Sequence, residues 1–334
     1  MVVDLAAAAI LGTVAIWFGA NWLEPAAERI AVAYGLPSLV QGAILIAAAS
    51  SFPELSSVVL AAVRHGEFEL GVASIVGSAI FNVLVIPGIS VMFAGEAMRT
   101  DRELIYKDAQ FYLLSIVVTF LTFTLAVVYL PVAGDLSVGR VTWWLALVPL
   151  GLYGIYLGIH FMEAMDGAPP ADGAHRTAAR ASVDFVIGMV VILIGVEGLL
   201  HASIGLGDVF ETPSYLWGLT VVAVGTSLPD LLLSVKAARA DRHAVSLSNV
   251  FGSNTFDLLV AVPAGALVAG SVLVRLDRAV PMFAFLTVAT IGVMAALRTR
   301  FVVSRREAIA LLLGYLLFVV WMLLESVAAV DLLR

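Results

Sequence analysis

Apolar runs of about 20 residues follow one another along almost the whole chain, and that repetition decides its solvent before any motif is read. Twenty helical residues rise about 30 Å, the thickness of a bilayer's hydrocarbon core, and only helices or closed barrels satisfy their backbone polar groups there. Between charged or Pro/Gly-marked breaks the runs lie near 3–22, 28–52, 69–94, 107–130, 140–163, 182–204, 213–237, 244–270, 278–297 and 307–330. With 61% of 334 residues hydrophobic and 13% charged, no soluble core could hide them. The expectation is an all-α polytopic membrane protein of ten transmembrane helices, and not an enzyme. The first run carries Asp4 rather than a basic region and continues past Trp17, so it is expected to stay as a helix rather than be cleaved as a signal peptide. A net charge of −7 excludes a nucleic-acid partner, and the absence of cysteine removes disulfides, thiol nucleophiles and Cys–zinc sites. No protein partner is evident.

The longest polar break, DGAPPADGAHRTAAR from Asp166 to Arg180, divides the runs into two sets of five. Residues 1–165 are expected to form one half, 166–181 a linker and 182–334 the other half. With both termini outside, thirteen Lys and Arg fall on the inner side and five on the outer, which favours a cytoplasmic linker in the cell membrane.

The halves repeat each other. At an offset of 176, Gly19, Pro37, Ser38, Gly42, Ser51 and Pro53 meet Gly195, Pro213, Ser214, Gly218, Ser227 and Pro229, and Glu54 meets Asp230. At an offset of 175, Gly77, Ser78, Phe81 and Asn82 meet Gly252, Ser253, Phe256 and Asp257. Because each copy has an odd number of spans, the second must cross in the opposite sense, giving two inverted five-helix repeats.

The matched segments are rich in oxygen. In SSFPE, Ser50 and Ser51 stand four and three residues before Glu54, so two hydroxyls and a carboxylate share a helical face; Thr226, Ser227 and Asp230 repeat this around Pro229. Each proline lacks an N–H and releases a carbonyl one turn back. Ser78 with Asn82, and Ser253 with Asp257, add a second such face per half. These are ligands of Na⁺, K⁺ or Ca²⁺ rather than of zinc or copper. An acid at the bilayer centre costs roughly 2.5–3.5 kcal/mol even on a lenient scale, so three at one depth call for cations or protons.

Other polar residues carry less. Glu197, opposite Asn21 in the repeat, is either part of an ion path or a hydrogen-bonded interior acid, and Glu325 is expected to be a structural partner near the end of its span. Asp184, Glu163 and Asp166 flank the linker as solvated charges. His65, His160, His175, His201 and His243 show no metal-ligand spacing, and Trp143, Trp144, Tyr215 and Trp217 suit interfacial anchors.

The segments GAILIAAASSFPELSSVVLAAV with IVGSAIFNVLVIPG, and GLTVVAVGTSLPDLLLSVKAAR with NVFGSNTFDLLVAVP, resemble the two alpha-repeats of the cation/calcium antiporter superfamily, which includes sodium/calcium exchangers. LPD and GSNTFD are most similar to the potassium-dependent members. The resemblance implies that Glu54 and Asp230 face a central calcium site. It implies that Ser50, Ser51, Thr226 and Ser227, with the carbonyls of Ala47 and Ala223, line flanking sodium sites. Ser78, Asn82, Ser253 and Asp257 would complete the ring. The sequence departs from the commoner GTSxPE pattern at Ala49, which replaces glycine.

An empty ring of acids repels itself and resists crossing, whereas one filled by Ca²⁺ or several Na⁺ is neutral, so the implied activity is obligatory exchange of Ca²⁺ for Na⁺, with or without K⁺. Proton-coupled cation antiport would use the same acids, and a cation channel is the alternative of another class.

Overall fold

The computed structural model describes residues 1–33, 45, 47–94, 97–100, 102, 104–164, 178–298 and 301–326. Among them nine helices are long and apolar enough to cross a membrane. The first half contains α1 (Val2–Ala33), a short α2 (Ala47–Ser50), α3 (Phe52–Val63), α4 (Phe68–Ala94), α5 (Gln110–Tyr129, continuing a π-helical turn at Leu104–Ala109) and α6 (Trp143–Ala164). The second contains α7 (Ala178–Phe210) and α8 (Ser214–Trp217), which leads through a π-helical turn at Gly218–Val222 into α9 (Ala223–Arg239). It continues with α10 (His243–Phe256), a further π-helical turn at Asp257–Ala261, α11 (Val262–Ala269), α12 (Leu276–Arg298) and α13 (Arg305–Ser326).

The expected boundaries of the first two spans move, and α7 (Ala178–Phe210) overruns the expected 182–204 at both ends, taking residues 178–181 from the expected linker. The break expected between residues 22 and 28 does not exist, because α1 runs through Pro25 to Ala33. Pro25 deprives only the Asn21 carbonyl of its bond, on an exposed face where other groups can reach it. The second span, expected to end at residue 52, instead continues as α3 to Val63, so SSFPE stands at the junction of α2 and α3 rather than at the end of the apolar segment. Residues 34–44 and 46, the earlier part of that span, lie outside the described residues, as does linker segment 165–177.

Short strands cap the bundle, an addition to the all-helical expectation. β1 (Met98–Arg99) pairs antiparallel with β5 (Val302–Val303). β2 (Pro131–Val132), β3 (Asp135–Thr142) and β4 (Ser271–Arg275) form a three-stranded antiparallel sheet with Val138 opposite Arg275 and Val141 opposite Val272. Residues 140–142, expected inside the fifth span, belong to β3. β-Branched residues explain the strands: Val141, Val272 and Val274 share one buried face with Gly139, and Val138 is buried on the other. Gly139 has no side chain because one would run into the α5 backbone at Ala126 and Val127. At the hairpin, Ser137 donates its N–H and hydroxyl to Asp135 at 2.9 and 2.7 Å, which holds this exposed carboxyl below the usual carboxylate range.

Burial ranks the helices. In α4, 89% of the apolar window is buried, and in α10–α11 78%, against 22% in α1, α6 and α13. The helices bearing GSAIFN and GSNTFD are therefore the centre of the bundle. α1 and α7 pack outside it as an antiparallel pair, with Leu5 against Gly205, Gly12 against Gly195, Gly19 against Gly188 and Arg29 paired with Asp184 at 3.0 Å. A Cβ on Gly12 would stand 2.6 Å from the Gly195 carbonyl oxygen, so the two backbones approach as only glycine permits. Asp184 is thus an ion-pair partner rather than a merely solvated charge.

Candidate functional site

Four helical segments bring the matched motifs together. In the first half, Ser51 breaks the helix between α2 and α3 with φ −90° and ψ 13°. Pro53 then falls in the first turn of α3, where its missing N–H costs no internal bond. This break forms although Ala49 replaces the usual glycine; Ala49 is itself buried. In the second half, Pro229 lies inside α9 and Asp257 opens a π-helical turn. That turn leaves the Leu258 carbonyl to accept a bond from the Thr119 hydroxyl of α5 at 3.1 Å.

Every expected side chain is buried: Ser50, Ser51, Glu54, Ser78, Asn82, Thr226, Ser227, Asp230, Ser253 and Asp257. Glu54 lies within electrostatic reach of both Asp257 and Asp230. Across the halves, the hydroxyls of Ser78 and Ser227 share a 2.6 Å hydrogen bond. Asn82 Nδ2 donates to Asp230 Oδ2 at 3.4 Å and to Asn254 Oδ1 at 2.9 Å. Asn249 Nδ2 donates to Asp230 Oδ1 at 3.2 Å. The Ala47 carbonyl accepts from Ser51 N–H at 3.0 Å and Ser50 Oγ at 3.1 Å, and the Ala223 carbonyl from Thr226 Oγ1 at 3.3 Å.

Both carboxylate oxygens of Glu54, both of Asp257, the Ser51 hydroxyl and Asn82 Oδ1 are buried and make no hydrogen bond of 3.5 Å or shorter among the described residues, with the Thr226 hydroxyl the polar neighbour of Glu54 and the Ser51 hydroxyl that of Asp257. Bare buried carboxylate oxygens beside a third acid are strongly unfavourable unless a cation or proton joins them. Among the described residues no three His, Asp or Glu side chains converge closely enough to hold an ion by themselves. An ion bound here must also draw on hydroxyl, amide and carbonyl oxygens, and these are the groups that surround the acids.

Asn249 and Asn254 have no matching residue at the 175 offset, where Ser74 and Ala79 stand, so the repeat did not reveal them. Their signal was local: Asn249 and Ser253 share a helical face, and Ser253 Oγ donates to the Asn249 carbonyl at 2.8 Å. Tyr112 on α5 is buried near Asp257 and was also not anticipated.

A cleft of about 420 Å³ lies between α1 and α9, lined by Trp17, Asn21, Glu24, Glu28, Lys236 and Pro229, the residue before Asp230. The seam between α3 and α7 is its counterpart in the repeat. There Glu197 is an ion-pair partner of Arg64 at 3.2 Å and shares a hydrogen bond with His65 Nε2 at 3.3 Å. Glu325 is fully buried and accepts from Trp321 Nε1 at 3.0 Å, a structural role as expected.

A family model described as sodium/calcium exchanger protein matches residues 5–162 and 181–324. The chain belongs to the sodium/calcium exchanger family. Within the cation/calcium antiporter superfamily, it is similar to sodium/calcium exchanger MaX1 of Methanosarcina acetivorans, 25% identical over 75% of this chain and 79% of that one. It is also 35% identical to mouse sodium/potassium/calcium exchanger 4, over 41% of this chain and 20% of that protein. The fold matches structures of the sodium–calcium exchanger NCX_Mj, one soaked with 10 mM Na⁺ and 10 mM Sr²⁺ superposing with a TM-score of 0.64 at 23% identity over 96% of this chain and 99% of that one. This family member is an integral membrane protein of a transporting rather than a catalytic class.

Proposed function

We propose that the protein exchanges Ca²⁺ for Na⁺ across the cell membrane by alternating access. Glu54 and Asp230 are the central calcium ligands. The flanking oxygens of Ser50, Ser51, Thr226, Ser227, Ala47 and Ala223 receive Na⁺, and Ser78, Asn82, Ser253 and Asp257 close the ring. The observation that carries this reading is the pair of bare carboxylates, Glu54 and Asp257, buried beside Asp230 among hydroxyls from both halves. A divalent ion takes six to eight hard oxygens, and this shell supplies that kind and number.

The antiparallel packing of α1 on α7 supports two inverted repeats, residues 1–165 and 182–334. At an offset of 176, Gly12 becomes Gly188 and Gly19 becomes Gly195, so the contacts Gly12–Gly195 and Gly19–Gly188 exchange under a twofold axis. α2 and α3 (Ala47–Ser50 and Phe52–Val63) belong to the remaining span of the first half. Both termini lie outside and the linker lies in the cytoplasm, from the distribution of basic residues.

The test is ⁴⁵Ca²⁺ uptake into proteoliposomes under imposed Na⁺, K⁺ or H⁺ gradients. Uptake driven by an opposing Na⁺ gradient is expected. Uptake driven by a pH gradient without Na⁺ would make the protein a proton-coupled antiporter, and single-channel currents would make it a channel.

A further inference from the structure

Alternating access needs one pathway to each side of the membrane, and the repeat relates the two. They differ in charge. At the side where α1 ends, the cleft between α1 and α9 reaches Pro229, and the half-buried Glu24 lines it within electrostatic reach of Asp230. At an offset of 176, Leu200 takes the place of Glu24 and is 0% exposed. In the matching seam between α3 and α7, Glu197 is already bridged to Arg64 and His65. No hydrogen bond or ion pair engages Glu24 among the described residues, so its carboxyl group is open to whatever enters the cleft.

We propose that Glu24 is a fourth carboxylate of the transport pathway, present on one side only, which draws cations into the α1–α9 cleft and raises the affinity of the site when it opens there. The proposal rests on the exchanger reading above. Glu24 acts at a distance rather than as a ligand, so it should favour Ca²⁺ over Na⁺, because a given charge attracts a divalent ion twice as strongly as a monovalent one. The exposed Glu28 lines the same cleft and adds to this attraction, and Lys236 lines it and opposes it.

The experiment measures initial ⁴⁵Ca²⁺ rates in right-side-out and inside-out membrane vesicles for the parent, Glu24→Gln and Lys236→Gln. Cysteines placed at Ala174 and Asp135 fix which face is which. On the face where α1 ends, Glu24→Gln should raise KM for Ca²⁺ roughly tenfold with kcat changed less than twofold, and added salt should shrink the difference. Lys236→Gln should lower KM on that face. KM on the opposite face should stay at the parent value, which also reports an intact fold. Equal changes on both faces, or a loss confined to kcat, would overturn the proposal. If the parent carries no Ca²⁺, the exchanger reading fails separately, and ²²Na⁺ flux in the same vesicles still shows the one-sided effect or its absence.

Discussion

Glu54 and Asp230 hold matching places in the two halves, yet one is bare and the other is held. Glu54 makes no close hydrogen bond on either carboxylate oxygen, while Asp230 accepts amide protons from Asn82 and Asn249. The next matched pair reverses the pattern: in the first half Asn82 is held through its amide nitrogen, with Oδ1 left free towards the site, and in the second Asp257 is bare on both oxygens. The site is thus built on two diagonals. One joins Asp230 to Asn82 in a fixed polar frame, and the other offers Glu54 and Asp257 for a charge to be added. Equivalence in sequence does not imply equivalence in chemistry, because the neighbours of each acid come from the opposite half.

The largest effect should come from breaking both diagonals at their acids. Glu54→Gln and Asp230→Asn should each lower Na⁺-driven ⁴⁵Ca²⁺ flux by roughly a hundredfold, about 2.7 kcal/mol, since each removes a charge that the divalent ion requires. Their stabilities should diverge. Glu54→Gln replaces a bare buried charge and should hold or raise Tm in detergent. Asp230→Asn sets an amide against two amide donors and should cost about 1–3 kcal/mol. Flux at the parent level from either variant would remove these residues from the centre of the site.

Asp257→Asn should have the next largest effect, because it makes the second motif match the first. Exchange should persist at roughly a tenth of the parent rate, as expected for losing one charge at about 1.4 kcal/mol. Stimulation by K⁺ on the calcium side should disappear. If K⁺ has no effect on the parent and the variant transports like it, Asp257 carries a proton instead.

Asn249→Ala should be milder. It deletes one of two amides that orient Asp230, worth about 1 kcal/mol, and should raise KM for Ca²⁺ several-fold with little change in kcat. An effect as large as that of Asp230→Asn would mean that Asn249 is itself a ligand.

The smallest change is expected at the seam between α3 and α7. Arg64 is 65% exposed, so its pairing with Glu197 should contribute no more than about 1 kcal/mol, less at high salt. Arg64→Gln should shift Ca²⁺ affinity on that face less than twofold. A larger shift would make this bridge a latch on the moving helix.

The sequence by itself determined the solvent, the span pattern, the paired motifs and the acids. Each of these is written locally: apolar runs long enough for a bilayer, and oxygen-bearing residues three or four apart on one helical face. It did not show that α1 passes through Pro25, that α3 carries the chain helically on from SSFPE to Val63, or that β3 pairs with β4. These follow from where neighbouring segments leave room and hydrogen-bond partners. The tertiary structure alone decided which carboxylates are bare. Asn82 meets Asp230 across 148 residues and Asn254 across 172, and no local periodicity encodes a contact between helices so far apart in the chain. The placement of Glu24 beside the cleft has the same origin: on the sequence it marked a break between spans, and only the packing of α1 against α9 turned it towards Asp230.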